Sequence, residues 1–285
     1  MGLEVEVVAD TNKFDVIVIG GGIAGMTAAA NVKQQGLTSC FLDKDAPGGK
    51  LLRIKEIHNV QQFNGMSGPN VAQQYMAYVT DQVKANYSWG EVKSIKTKND
   101  YFYIFTTDGQ TWEAKSIIVA TGTVVNKLNV PGEEKYFNHG LSYCIACDAV
   151  LTKGLDVAVI GSDAHINKLQ DIAKTITVVR SSDVERIEGD DKQPHRVVTK
   201  NGGVVQCQYI FVENGFVSDL SFLPKDVAIN GKNEIIVDQY MGNTYPGIFA
   251  CGDCTNTSNK IINNAINQAT TAASSAVKYV KSKNW

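Results

Sequence analysis

The chain lacks a charge bias. Its 285 residues hold 27 Lys and Arg against 29 Asp and Glu, a formal charge of -2, so no basic field is present to draw nucleic acid or an anionic membrane. It also lacks an unbroken apolar run. The longest, Val16 to Ala30, is interrupted by Gly20, Gly21, Gly22 and Gly25, which argues against a membrane span. The amino terminus MGLEVEVVADTNKF is acidic where a secretory signal is basic, and Glu6 stands where a myristoylation site asks for Ser or Thr. A cytoplasmic protein is expected. There is no repeat and no low-complexity tract, and His58, His139, His165 and His195 show no ligand spacing. The absence of a compact run of three or four cysteines disfavours an iron-sulfur cluster. Length alone suggests two domains of about 100 to 150 residues each.

What is present begins with KFDVIVIGGGIAGMTAAANVKQQG, Lys13 to Gly36, followed by TSCFLD, Thr38 to Asp43. It reads as a buried strand, a glycine turn, a helix and a second strand. Gly20, Gly22 and Gly25 have the GxGxxG spacing, and Asp43 closes the second strand, where a ribose hydroxyl needs an acceptor. The combination predicts a dinucleotide site; the plain alternative is a helix packed tightly on a sheet. Residues 91 to 119 read as antiparallel, with strands over Tyr101 to Thr107 and Thr111 to Ala120 joined at Asp108-Gly109.

A second unit of the same kind is expected from Val157. The strand VAVI meets Gly161, then a helix-like SDAHINKLQDIAK, Ser162 to Lys174, and a strand ITVVR, Ile176 to Arg180. Its turn is defective, because Asp163 and Ile166 stand where glycine and a small residue belong. The strand at Ile248 and a helix from about Lys260 to Val280 have no sheet of their own and are expected to complete the first domain. The expected fold is α/β, with two Rossmann-like domains of the three-layer ββα kind, the second inserted into the first. Boundaries are placed at 1–121 with 244–285, and at 122–243.

Six cysteines occur, and in a reducing cytoplasm close pairs read as redox or metal sites rather than as a disulfide framework. Cys144 and Cys147 form a CxxC in YCIACD. The other CxxC, Cys251 and Cys254, lies much farther along the chain than the roughly 15 to 20 positions between zinc-ribbon pairs, so no metal site is expected. If Cys144 and Cys147 open a helix, its first amides favour a thiolate, and Asp148 is placed to shuttle a proton; Asp148 is otherwise an ordinary helix-start carboxylate. Cys251 and Cys254 read as an auxiliary dithiol or as packing residues, Cys40 and Cys207 as core.

The chain resembles, nearly end to end, the low-molecular-weight thioredoxin reductase family. The resemblance is carried by VIGGGIAG from Val18, PGGKLLRIKEIHN from Pro47, VATG from Val119, LSYCIACD from Leu141, VENGFVSDL from Val212 and PGIFACGD from Pro246. It implies FAD as cofactor, with Gly20, Gly22, Ile23, Ala24 and Gly25 on the diphosphate and Asp43 on the ribose. It further implies Gly49, Lys50, Leu51 and Asn59 on the flavin side, Val92 and Ala120 on the adenosine side, and Gly252 and Asp253 on the ribityl and diphosphate. Asn263 and Asn264 replace the Arg-Gln pair that opens the family's last helix. Cys147 would be the sulfur nearest the flavin, Cys144 the nucleophile toward thioredoxin, and Asp148 the acid/base. A homodimer is implied, and the terminal Trp285 would either cover the flavin or fray.

In that family a His-Arg-Arg-Asp-x-x-Arg run grips the 2'-phosphate of NADPH. Here it is RSSDVER, Arg180 to Arg186, with Ser181 and Ser182 at the central arginines, which removes the charge-assisted contacts to a phosphate. With the defective turn, this argues against NADPH and NADH alike. The sequence therefore leads to a flavin thioredoxin reductase fed by a protein donor, a reduced ferredoxin, whose acidic surface would meet a basic dock drawn from Lys50, Lys55 and Lys260. An NADPH or NADH enzyme with an unusual site, and a flavin redox sensor built on Cys144 and Cys147, are the alternatives.

Overall fold

The structure, a computed structural model, describes residues 12–285; the Met-Gly start and Glu6 lie outside the described residues. Two compact units divide the chain. One comprises residues up to Ile54, Met66–Thr123 and Ser218–Trp285; the other comprises Lys55–Gly65 and Val124–Val217.

The first unit opens with β1 (Asn12–Ile19), α1 (Ile23–Gln34) and β2 (Ser39–Asp43), the expected βαβ unit. After α2 (Gly68–Ala77) come β3 (Asn86–Trp89), β4 (Val92–Lys98), β5 (Tyr101–Thr106) and β6 (Thr111–Val119). Strands β3, β2, β1 and β6 lie side by side in parallel, while β4, β5 and β6 form the expected antiparallel meander. β6 thus joins the two parts, pairing with β1 on one edge and with β5 on the other. Alternation along β1 distributes the core: Ile17 and Ile19 pack with Phe102, Ile104 and Trp112 on the meander side. Val16 and Val18, equally buried, point to the opposite face.

In the second unit, a ribbon strand β7 (Val124–Val125) precedes α3 (Glu133–Tyr136), β8 (Leu141–Ser142) and α4 (Ile145–Asp148). There follow β9 (Asp156–Gly161), β10 (Thr175–Val179), β11 (Val184–Gly189), β12 (Pro194–Thr199), β13 (Val204–Gln206), β14 (Tyr209–Glu213) and β15 (Phe216–Val217). A parallel sheet runs β10-β9-β14-β8, an antiparallel sheet β11-β12-β13, and β15 pairs with β7. The last regular elements of the first unit are β16 (Ile248–Ala250), parallel to β6, and α5 (Ile262–Lys281).

One expectation is corrected. The helix expected over Ser162 to Lys174 is absent: that stretch holds one 3-10 turn, Ile166–Lys168, and turns around it. Ser162 to Lys174 is also all that separates β9 from β10. A helix matching a strand of about 17 to 20 Å needs about 12 residues, which uses up that link and leaves nothing for the turns at its ends. The exposed sheet face is covered instead by Ile145 and Leu169, both buried against Val157, Val159 and Phe211. In the division into compact units the first unit resumes at Ser218, where the sequence reading places its boundary at 244. Leu220, Phe222, Val227 and Ile235 are buried with Ile17 and Trp112, so burial of loop side chains, not a regular element, fixes where this segment belongs. Residues 55–65, expected with the first domain, group with the second unit.

Candidate functional site

In the first unit, the glycine turn after β1 is dictated by close approach. Gly20 has φ +109°, and a Cβ there would lie 2.4 Å from the Ala120 carbonyl oxygen. A Cβ on Gly25 would lie 1.8 Å from the Gly20 carbonyl oxygen, so α1 reaches the turn only without one. Gly22 differs: it precedes the helix as its N-cap, its φ of -70° suits any residue, and nothing lies within 4 Å of its would-be Cβ. No side chain caps α1, so the first-turn amides that include Ile23, Ala24 and Gly25 face a space that suits an anion.

Around this cradle the structure gathers most of the sequence-predicted residues of the unit. The Gly21 N–H donates to Asp43 Oδ2 at 2.6 Å and the Asp45 N–H to Oδ1 at 2.9 Å, orienting the carboxylate. Burial pushes the Asp43 pKa up, against the pull of those amide donors. Gly48 N–H donates to the Gly21 carbonyl at 2.8 Å, which lays Gly49 beside Gly22 at the start of the 3-10 turn that carries Lys50 and Leu51. Lys50 Nζ donates to Asp253 Oδ2 and to Thr123 Oγ1, both at 2.7 Å. Val92 opens β4, just past Gly90, whose N–H donates to the Asp43 carbonyl at 2.9 Å.

Gly252 and Asp253 sit on a 3-10 turn after β16, held by Gln268, which sequence reasoning missed, and by Lys260. Gln268 on α5 accepts the Gly252 N–H at 2.8 Å and donates to Thr257 Oγ1 at 2.6 Å. Lys260 Nζ donates to the Asp253 and Thr255 carbonyls and pairs with Glu234 at 2.8 Å. Lys50 and Lys260, expected in a basic dock, are thus matched by Asp253 and Glu234. Asn264 gives its amide to the Ser258 and Asn259 carbonyls, and Asn263 is exposed. Asn59 is not part of this cradle's unit; it falls in 55–65 with the second.

The second unit carries the dithiol pair as a disulfide, Cys144–Cys147, with Cα atoms 5.3 Å apart. Cys144 is the N-cap of α4, whose Ile145 is buried against the sheet and so fixes the pair. Ser142 Oγ donates to Asp148 Oδ2 at 2.6 Å and accepts the Cys144 N–H at 3.0 Å, tying the acid to the pair. Burial pushes the Asp148 pKa up; the Ser142 hydrogen bond and the nearby His58 pull it back. His58, which shows no ligand spacing in the sequence, therefore lies in the field of this acid.

The other cysteines are of a different kind. Cys251 and Cys254 are free and fully buried, and the Cys254 thiol donates to the Cys251 carbonyl at 3.3 Å. Burial pushes the Cys254 thiol up to about 11, and Cys40 and Cys207 to about 12. These read as packing thiols. Trp285 neither frays nor joins the cradle. It packs edge-on against Tyr101 and Tyr279, and its indole N–H donates to the Val280 carbonyl.

The model for "Pyridine nucleotide-disulphide oxidoreductase" matches residues 14–164 and 165–276. The chain belongs to the pyridine nucleotide-disulphide oxidoreductase family. Within it, the chain is of the low-molecular-weight thioredoxin reductase type, as its similarity to a solved relative agrees. Thioredoxin reductase from Streptococcus pyogenes MGAS5005 superposes with a TM-score of 0.88 at 27% identity, over 96% of this chain and 100% of that one. A ferredoxin-flavin thioredoxin reductase from Clostridium acetobutylicum gives a TM-score of 0.59 at 27% identity, over 95% and 99%. An NADH dehydrogenase of Bacillus subtilis strain 168 is 29% identical over 98% of this chain, which spans 61% of that relative's length. No helix among the described residues is long and apolar enough to cross a membrane.

The pyridine nucleotide half of that family signature is where the structure departs. Gly161 retains the first glycine's reason to be glycine: φ is +109° and a Cβ would meet the Glu213 carbonyl oxygen at 2.5 Å, as at Gly20. The helix that should follow is missing, and with it the row of amides for a pyrophosphate. Arg186, one of the two matched residues of the phosphate-gripping run, gives its guanidinium to Glu185 and Glu188.

Proposed function

We propose that this protein is an FAD-dependent disulfide oxidoreductase that takes electrons from a reduced ferredoxin, passes them to the Cys144–Cys147 disulfide and delivers them to thioredoxin. The observation that carries the choice of donor is the missing helix after Gly161, which leaves a pyridine nucleotide without its pyrophosphate seat. The likeness to a ferredoxin-flavin thioredoxin reductase supports the same donor. The name of the Bacillus subtilis relative favours NADH as the second reading.

The cradle of the first unit fits FAD. Gly22 leaves room at a helix start whose amides no side chain caps, and Asp43 presents an oriented carboxylate. In this reading Gly20, Gly22, Ile23, Ala24 and Gly25 hold the diphosphate and Asp43 the ribose, with Val92 and Ala120 along the adenosine. Gly49, Lys50 and Leu51 line the flavin side, and Gly252 and Asp253 meet the ribityl and diphosphate; Asn59 retains its flavin-side assignment. When bound, FAD supplies the exchange between a one-electron carrier and a two-electron disulfide.

The remaining steps belong to the chain's own residues. With the dithiol reduced, the Cys144 thiolate attacks a thioredoxin disulfide; Cys147 then displaces the mixed disulfide, so two electrons leave and the Cys144–Cys147 bond re-forms. Asp148, its carboxyl pushed up by burial and held by Ser142, takes and returns the thiol proton. A cytoplasmic homodimer completes the reading.

Anaerobic mixing decides between donors. Reduced ferredoxin should bleach the flavin absorbance rapidly and support thioredoxin reduction, while NADPH and NADH should not. Rapid bleaching by either nucleotide overturns the assignment of the donor, and bleaching by ferredoxin without transfer to thioredoxin overturns the assignment of the acceptor.

A further inference from the structure

A carboxylate that the sequence pattern passes over sits beside the disulfide. Glu213 ends β14, and three contacts fix it. Its backbone carbonyl accepts the Ser162 N–H at 2.9 Å and lies against Gly161. Its Oε1 receives the Ile145 N–H at 3.5 Å, the first amide of α4 and the one that follows Cys144. Its Oε2 lies 2.8 Å from His165 Nδ1. The Glu213 side chain is 11% exposed and that of His165 is 54% exposed. One carboxylate oxygen therefore rests on the dithiol turn, while the other rests on an imidazole that opens to solvent. His165 lies in the stretch where the helix was expected, and Glu213 ends the neighbouring strand.

We propose that Glu213 is a positioning residue for the dithiol: its charge, held on the amide after Cys144, disfavours the Cys144 thiolate, and His165 sets how much of that charge the sulfur feels. The inference rests on reading Cys144 and Cys147 as a redox pair. A backbone N–H directed at a sulfur stabilises its thiolate, and a neighbouring negative charge opposes it. Here the Ile145 N–H is engaged by the carboxylate. Two electrons and two protons turn the disulfide into two thiols, the electrons coming from the donor proposed above. Whatever stabilises the thiolate makes that reduction easier and the product a weaker reductant. Glu213 works in the reverse sense, which suits a dithiol that must push electrons onto another disulfide.

The titratable groups packed about this turn are Asp148 on α4, Glu213 and Tyr209 on β14, His165 after β9, and His58 in the segment 55–65. Single variants at fixed pH therefore separate their effects better than one profile does. The test uses the full-length Cys147→Ser protein, in which Cys144 is the one thiol outside the buried set Cys40, Cys207, Cys251 and Cys254. Its alkylation by iodoacetamide is followed by mass spectrometry. Glu213→Gln, which keeps an oxygen for the Ile145 N–H, should speed alkylation at pH 7 by roughly three- to tenfold. His165→Ala at pH 6 should slow it by about twofold or more. Unchanged circular dichroism and melting temperature separate a charge effect from a folding defect. No change in Glu213→Gln, or changes of the same sign in both variants, overturns the proposal. The readout involves neither donor nor thioredoxin, so it stands apart from failure of the ferredoxin assignment.

Discussion

Replacing Gly22 and Gly25 by alanine, one at a time, separates a ligand cradle from a merely tight turn. At Gly25 the new Cβ would sit 1.8 Å from the Gly20 carbonyl oxygen and 2.9 Å from its carbon. Ordinary carbon-oxygen contact is more than about 3 Å, so α1 and the turn must part by roughly 1.5 Å, against a close-packed core. Overpacking of that kind costs about 1 to 3 kcal/mol. For a chain of this size, this lowers the melting temperature of the flavin-free protein by about 3 to 9 °C. At Gly22 the Cβ meets nothing within 4 Å and φ is -70°. The cost there is the poorer N-cap alone, within about 1 kcal/mol. The same methyl group projects into the space assigned to the diphosphate, so flavin affinity should fall by at least about tenfold, or about 1.4 kcal/mol. Melting curves of the flavin-free proteins and fluorescence titration with FAD measure the two quantities. If Gly22→Ala binds FAD as tightly as the parent, the cradle is not the flavin site.

Other outcomes follow from the same geometry. Cys144→Ser and Cys147→Ser should each abolish thioredoxin reduction yet keep the flavin content of the parent, measured by absorbance after gel filtration; loss of flavin contradicts their assigned role. Burial raises the Asp148 pKa in the fold above its unfolded value, so its contribution to stability is present at low pH and is lost as pH rises through the folded pKa. Asp148→Asn keeps an oxygen for Ser142 and carries no charge, so its stability advantage over the parent should grow from pH 4 to pH 7 in thermal melts; a gap that shrinks refutes the sign. Gln268→Leu leaves the buried Gly252 N–H without its acceptor, and should cost about 1 to 3 kcal/mol of stability and weaken FAD binding in the same titration.

Much of the first unit is legible from sequence because its constraints are local. A strand, three glycines and a helix packed into Lys13 to Gly36 have one compact solution, and Gly20 and Gly25 are glycine for reasons of contact that any such turn repeats. The expected helix after Gly161 shows where local pattern misleads. SDAHINKLQDIAK carries a helical period, yet a link no longer than Ser162 to Lys174 cannot both span the sheet and turn twice, a limit that the sequence already held. Other features were not legible at all. Glu213 meets Ile145 from a distant strand, and Gln268 meets Gly252 from a helix beyond the next loop; neither contact leaves a spacing to read. The same holds for Leu220, Phe222, Val227 and Ile235, whose irregular spacing gives no element, so that only their burial with Ile17 and Trp112 assigns 218–243 to the first unit.

The insertion also sets an order of events during synthesis. β6 pairs with β1 and β5, both made before it, but its partner β16 leaves the ribosome only after the whole second unit has been made. Until then Ile117 to Val119 have β1 on one side but lack their second parallel neighbour, and Ile17 lacks the late-arriving Phe222 and Ile235. The second unit, whose strands β8 to β14 are drawn from one continuous stretch, has its main pairings complete before β16 is made. Pairings of such long sequence separation are slow, and an open strand edge invites association with other chains while it waits. Pulse-labelled nascent chains should therefore gain protease resistance in the second unit before the first, and expression conditions that slow aggregation of half-made chains should raise the yield of this protein more than any stabilising change in the finished fold.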